Sequence, residues 1–132
     1  MSWFYGEDIV TDIPDKMIGF VYHIENLSNN KKYIGKKNFY FAKTKIVKKK
    51  KKKIKIESDW KEYYGSNAKL LEDVDKCGRE NFKRIILHFC ESKGVMGYLE
   101  LKEQIKHCVL ESEDYYNDWI MCRIRGSHLK KL

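Results

Sequence analysis

Proline occurs once and glycine only eight times, and no apolar run approaches the roughly 20 residues of a membrane span. With 14% aromatic and 42% hydrophobic residues, this composition excludes a collagen-like or wholly disordered polymer and can fill a modest core in 132 residues. The four cysteines (77, 90, 108 and 122) lie far apart and form no C-x-x-C pair. A zinc site built from His88, Cys90, His107 and Cys108 matches no recurring ligand spacing, so reduced, partly buried thiols are expected. The opening residues, Met1 to Asp8, lack a basic segment followed by a long apolar one, which argues against a signal peptide. A cytoplasmic chain with no membrane contact is the expectation.

Acids are missing where bases concentrate. The chain carries 27 Lys or Arg against 19 Asp or Glu, a formal net charge of +8. Nine of the lysines fall between Lys43 and Ile56, where no acid occurs, and subtracting them leaves the rest of the chain at −1. The centre of that element is the unbroken run Lys48, Lys49, Lys50, Lys51, Lys52 and Lys53. Such a run repels itself and stays out of any core. It reads either as a solvated loop tip or as a cationic arm for nucleic acid.

Residues 1–16 read as an irregular arm. Met17 to Ile24, β-branched and aromatic, reads as a strand, and Lys32-Tyr33-Ile34-Gly35 returns as a second after Asn/Ser turn chemistry. Residues 43–56 form a basic insertion, either two short ribbon arms with a lysine tip or a partly disordered segment. Ser58 is positioned to cap a short helix through Tyr64, stopped by Gly65. Ser66 or Asn67 can cap a second helix ending at Gly78. Phe82 to Cys90 is a strand, and a helix runs from Val95 or Met96 to Leu110. The tail from Asp114 to Arg125 is ambiguous. The order predicts one α+β domain with a central antiparallel sheet flanked by helices.

Taken alone, Tyr22 and Tyr33 on paired strands are simply two aromatics packing a hairpin. Phe20-Val21-Tyr22 followed by Tyr33-Ile34-Gly35, however, resembles the name motif of the GIY-YIG nucleases, literal in its second half and degenerate in its first. Trp60-Lys61-Glu62-Tyr63-Tyr64-Gly65-Ser66, Tyr98-Leu99-Glu100 and Tyr115-Tyr116-Asn117 follow in order. Together these resemble the free-standing GIY-YIG endonucleases of T-even-type phages over residues 14–125. The resemblance implies metal-assisted hydrolysis of a DNA phosphodiester with one Mg²⁺ or Mn²⁺ ion, in an infected bacterial cell. It implies Tyr22 as general base, Tyr33 as its neighbour on phosphate or water, Glu100 as metal ligand and Asn117 as the residue that steadies the site. A free phenol titrates near pH 10, so lysine or metal charge must lower Tyr22 for it to act as a base.

Helical geometry separates Glu100 from Glu103. If Tyr98, Leu101, Ile105, Cys108 and Val109 form the buried stripe, Glu100 lies about 130° from its centre and Glu103 roughly 170°. Glu103 then reads as a surface acid paired with Lys106 or His107. No arginine occurs between Gly35 and Arg79, where many members of the family place the phosphate-holding one, so Lys36 or Lys37 must supply that charge. Ser66 and Asn67 either bind phosphate through backbone N–H groups at a helix start or only cap the helix. His23, next to Tyr22, points to the opposite face. Trp60, Tyr63 and Tyr64 read as core.

The reading is a metal-dependent DNA endonuclease of low or shape-based specificity, with the lysine run holding phosphates. A catalytically inactive nucleic-acid binder and a phage accessory protein that binds a host protein are the alternatives, the degenerate half-motif and the missing arginine motivating the first. A protein partner and the oligomeric state stay open.

Overall fold

A computed structural model describes residues 2–120 and 126–129. Its centre is a five-stranded sheet in the order β2-β1-β7-β3-β4. The strands are β1 (Trp3–Tyr5), β2 (Asp8–Val10), β3 (Gly19–Asn26), β4 (Lys32–Asn38) and β7 (Phe82–Cys90). β5 (Tyr40–Val47) and β6 (Lys50–Glu57) pair only with each other, as a separate two-stranded ribbon. Two α-helices, α1 (Ala68–Cys77) and α2 (Lys93–Lys106), complete the α+β architecture.

The hairpin of β3 and β4 forms as its sequence predicts, with Tyr22 opposite Gly35 and Ile24 opposite Tyr33. β3 is paired along both edges and packed against a core cluster on each face, so its pattern is almost continuously buried. Phe20, Tyr22 and Ile24 join one core cluster with Trp3, Phe39 and Trp60, while Val21 joins a second with Ile34, Cys90 and Met96. Phe20, which stands where the family motif has glycine, is fully buried against Trp3 and Phe39. A β-bulge against β7 falls between Val21 and Tyr22, where such a kink re-aims a side chain.

The expected irregular arm is instead a hairpin. β1 pairs antiparallel with β2 and parallel with β7, so the sheet is mixed rather than purely antiparallel. The cause is Trp3, 1% exposed, whose indole N–H donates to the Trp60 carbonyl at 2.7 Å. The segment after Ser58 also differs. A 3₁₀ turn, Trp60–Glu62, replaces the expected helix, and the Ser58 hydroxyl donates to the Asn38 carbonyl instead of capping. Gly65, at φ +92°, ends the segment. Asn67 caps α1, its Oδ1 accepting from Leu70 N at 3.0 Å.

α2 begins at Lys93, behind the Ser92 cap, and stops at Lys106, four residues before the expected Leu110. Its orientation breaks up the expected apolar stripe. Ile105 is 62% exposed, and Cys108 is exposed, whereas Met96, Gly97 and Gln104 are buried. Met96, Glu100 and Gln104 are spaced by four residues, so Glu100 lies between two sheet-facing side chains. Of the expected stripe, Ile105 and Cys108 lie on the outer side, Tyr98 and Leu101 are half-buried, and Val109, just past the helix, is buried in the core.

Candidate active site

The site lies at the outer edge of β4, in a cavity of about 510 Å³ lined by Tyr22, Tyr33, Lys36, Ser66, Asn67, Glu100, Gln104, Asn117, Asp118, Trp119 and Ile120. Gly35 shapes it. A Cβ there would sit 2.5 Å from Tyr22 Oη and 3.0 Å from Tyr33 Cε2, so only glycine lets the Tyr22 phenol lie across β4. The two rings are 6.2 Å apart.

Tyr22 is fully buried, and its pKa is raised well above 10, first by desolvation and then by Tyr63, Tyr33 and Glu100. The expected lowering by lysine does not occur, because carboxylate and phenols surround this hydroxyl and Lys36 points to Glu100. Tyr33 is raised as well, mainly by burial, and its hydroxyl lies 3.2 Å from Ser66 Oγ.

Glu100 is half-buried, and burial raises its carboxyl pKa against the opposing pull of Lys36. The Lys36 ammonium is 3.9 Å away, a long contact that leaves the carboxylate facing the cavity. A desolvated carboxylate with one distant partner suits a hard cation, and Mg²⁺ is commonly held by one or two carboxylates plus water and substrate phosphates. Among the described residues no group of three or more His, Cys, Asp or Glu side chains is placed to hold a metal. Glu100, with Asp118 on the rim, is therefore the donor set available.

Asn117 acts through the backbone. Its Oδ1 accepts from Ile34 N at 3.1 Å and its Nδ2 donates to Ile34 O at 2.8 Å, while Gln104 Nε2 donates to the same carbonyl at 3.1 Å. The side-chain amide thus pairs with edge strand β4 as a neighbouring strand would, and holds Tyr33 and Gly35 in register. Asn67 is similarly engaged, capping α1 and donating to the Tyr116 carbonyl at 2.9 Å, which fits the capping reading of its side chain.

Two sets of expected residues stand away from the cavity. Lys37 Nζ is 2.6 Å from Asp59 Oδ1 and 4.2 Å from the Tyr63 ring centroid, so its charge is neutralised outside the lining. Lys48 to Lys53 belong to the ribbon, the first two at its tip. Glu103 is not a surface acid. Its side chain is only 13% exposed, and it takes His88 Nε2 at 3.0 Å as well as the expected His107 at 3.5 Å. His88 and His107 therefore share a carboxylate, while Cys90 is buried with its thiol pushed up to about 11. Cys122 lies outside the described residues, as does the tail over 121–125.

Tyr63 and Trp119 were missed by the sequence reading. Tyr63, taken as core, hydrogen-bonds with Tyr22 and lies 5.9 Å from it, ring to ring. Arg84 supports it from the core, donating to the Lys61 and Tyr63 carbonyls at 2.9 Å while stacked on Trp3 and Tyr64. Trp119, 66% exposed, stands at the cavity mouth. Its position in an irregular segment left no periodic signal to find it.

Two phenols on a hairpin, a glycine that admits one of them and a helical glutamate on the same cavity form the arrangement that the GIY-YIG resemblance implies. The family model described as "Putative endonuclease segE, GIY-YIG domain" matches residues 3–120. The chain belongs to this segE-type GIY-YIG endonuclease family. No curated protein and no solved structure that was searched matches the chain. Among the described residues, no helix is long and apolar enough to cross a membrane.

Proposed function

We propose that the chain is a single-domain DNA endonuclease that hydrolyses phosphodiesters at the β4-edge cavity, with Glu100 holding one Mg²⁺ or Mn²⁺ ion. The observation that carries this reading is the convergence of Tyr22, Tyr33, Lys36 and Glu100 on one cavity. A divalent ion bound there supplies Lewis-acid charge to the phosphate and favours loss of a proton from neighbouring water or phenol. Lys36, 44% exposed, meets the scissile phosphate as a point charge and stands in for the arginine common in the family. Tyr33 and Ser66 donate hydroxyl hydrogen bonds to phosphate oxygens, and the start of α1 adds backbone N–H groups.

Tyr22 Oη orients the attacking water. With only this chain's groups around it the phenol keeps its proton, so its lone pair accepts a hydrogen bond from the water. A cation held by Glu100 would oppose the burial that raises the phenol's pKa and so favour its use as a general base. The lysine run binds phosphates without reading bases, so specificity is low or set by DNA shape. The setting we propose is the bacterial cytoplasm during phage infection.

Supercoiled plasmid incubated with Mg²⁺, Mn²⁺ or EDTA tests the reading. Nicking with either ion and none in EDTA is the expected outcome. Tight binding without cleavage would instead identify an inactive nucleic-acid binder. Neither binding nor cleavage would point to an accessory protein.

A further inference from the structure

Beyond Tyr40, which packs against the core at its root, the β5–β6 ribbon has no core side. Residues 41–53 are all exposed, and both strands pair only with each other. Its root is nevertheless fixed, because Phe39 and Trp60 are fully buried and pack edge to face at 5.1 Å. Ser58 N donates to the Phe39 carbonyl at 2.8 Å, closing the base of the arm. Strands of eight residues reach about 24 Å from that base, at about 3.4 Å per residue step.

The register places lysines on both faces. Opposed residues share a face, so Lys51, Lys53 and Lys55 lie on one side with Ile46, Thr44 and Ala42. Lys43, Lys45, Lys50 and Lys52 occupy the other. Lys45 stands directly opposite Lys52, a like-charge pair that destabilises the ribbon, and Lys48 and Lys49 take positive φ (50° and 64°) at a tip that favours Asn or Gly. The ribbon accepts these costs to carry cations all round an isolated arm.

A flat anionic surface meets one face of such an arm at a time, and so does a single nucleic-acid strand. A groove walled by two phosphate backbones meets both. The major groove of B-DNA, about 12 Å wide, admits a two-stranded β-ribbon as it stands, whereas the minor groove, about 6 Å wide, has first to be opened at a cost in DNA deformation. We propose that the β5–β6 ribbon enters the major groove of duplex DNA edge-on, each face turned to one backbone, alongside the cleavage cavity. Lys37 connects the two places, lying 4.9 Å from the Phe41 ring on the ribbon and 4.2 Å from the ring of Tyr63, which abuts Tyr22. The arm's reach corresponds to about seven base pairs to one side of the scissile phosphate, at about 3.4 Å per pair.

This inference rests on DNA being the substrate, and its test is binding in EDTA, so it is read separately from cleavage. Two full-length variants, K51S/K53S/K55S and K43S/K45S/K52S, each remove three exposed lysines from one face of the ribbon. On duplex DNA each is expected to flatten the slope of log affinity against log salt by about 2–3, and the two effects should add. Bulky groups at C5 of the pyrimidines, which fill the major groove, should weaken binding of the unmodified protein at least 10-fold, while a minor-groove ligand should not compete. A footprint in EDTA should shrink by about seven base pairs on one side when the two sets of substitutions are combined. An effect confined to one face, equal effects on single strands or anionic vesicles, or competition by the minor-groove ligand would each overturn the proposal. Absence of cleavage with this pattern intact would remove the nuclease reading and leave the groove binding standing.

Discussion

Glu100 and Glu103 lie three residues apart on α2 and do different things. Burial raises the carboxyl pKa of Glu100, so its ionised form is held at a cost in the folded chain. For a raised carboxyl the native state binds more protons than the unfolded one between the ordinary and the raised value, so stability falls as pH rises through that window. Glu100→Gln should therefore raise the melting temperature in EDTA at neutral pH while abolishing cleavage. An unchanged or lower melting temperature would contradict the burial argument, and retained cleavage the ligand assignment. Glu103→Ala breaks its pairing with His88 and His107 and should lower stability by about 1–3 kcal/mol in urea unfolding, with cleavage retained by the folded fraction. Tyr22→Phe keeps the ring that packs against Trp3 and Tyr63, so folding should survive. Turnover should fall by about 10² in single-turnover kinetics, as for loss of a general base. Wild-type rates in that variant would leave the phenol a purely structural part.

At the scale of elements, legibility in the sequence followed the length of the pattern and the locality of the pairing. The β3–β4 hairpin is local and β-branched, and it was readable. The ribbon was readable as one of two options, since short β-branched stretches flank the lysine run on both sides. β1 was not, because it is three residues long and its partner β7 lies about 80 positions further on. The prediction that belongs here is Trp3→Ala, which should cost about 3–5 kcal/mol in denaturant unfolding, a core loss where a loose arm would show almost none. α2 was misread for a physical reason. The inner side of the helix is shared between apolar Met96 and the polar Glu100 and Gln104, so an apolar stripe alone does not locate it. Ile105→Lys, on the exposed side, should shift stability by no more than about 0.5 kcal/mol. A loss of several kcal/mol would restore the stripe. Within the site, Tyr22, Tyr33, Glu100 and Asn117 came from motif resemblance, while Tyr63, whose role depends on where a 3₁₀ turn sets its ring, was not visible as more than core.

The whole molecule is a body near neutrality carrying one cationic arm. Nine lysines sit within residues 43–56 and the remainder sums to −1, so long-range attraction to a polyanion must come from the ribbon. On the body itself Lys37 is neutralised by Asp59, and Lys36 is shared with Glu100. Replacing Lys48 to Lys53 with Ser should then weaken binding to all DNA sequences alike. The plot of log affinity against log salt should flatten by about 0.9 for each duplex phosphate that the variant no longer neutralises. Preference among cleavage sites should persist, because binding to phosphates carries no base identity. If the Ser variant keeps both its affinity and its salt slope, the arm is only solvated. The phosphate-binding charge then has to reside at Lys36 and the start of α1, where a single exposed ammonium and a few backbone N–H groups would produce a slope near one. The magnitude of the wild-type slope therefore already separates the two arrangements before any residue is changed.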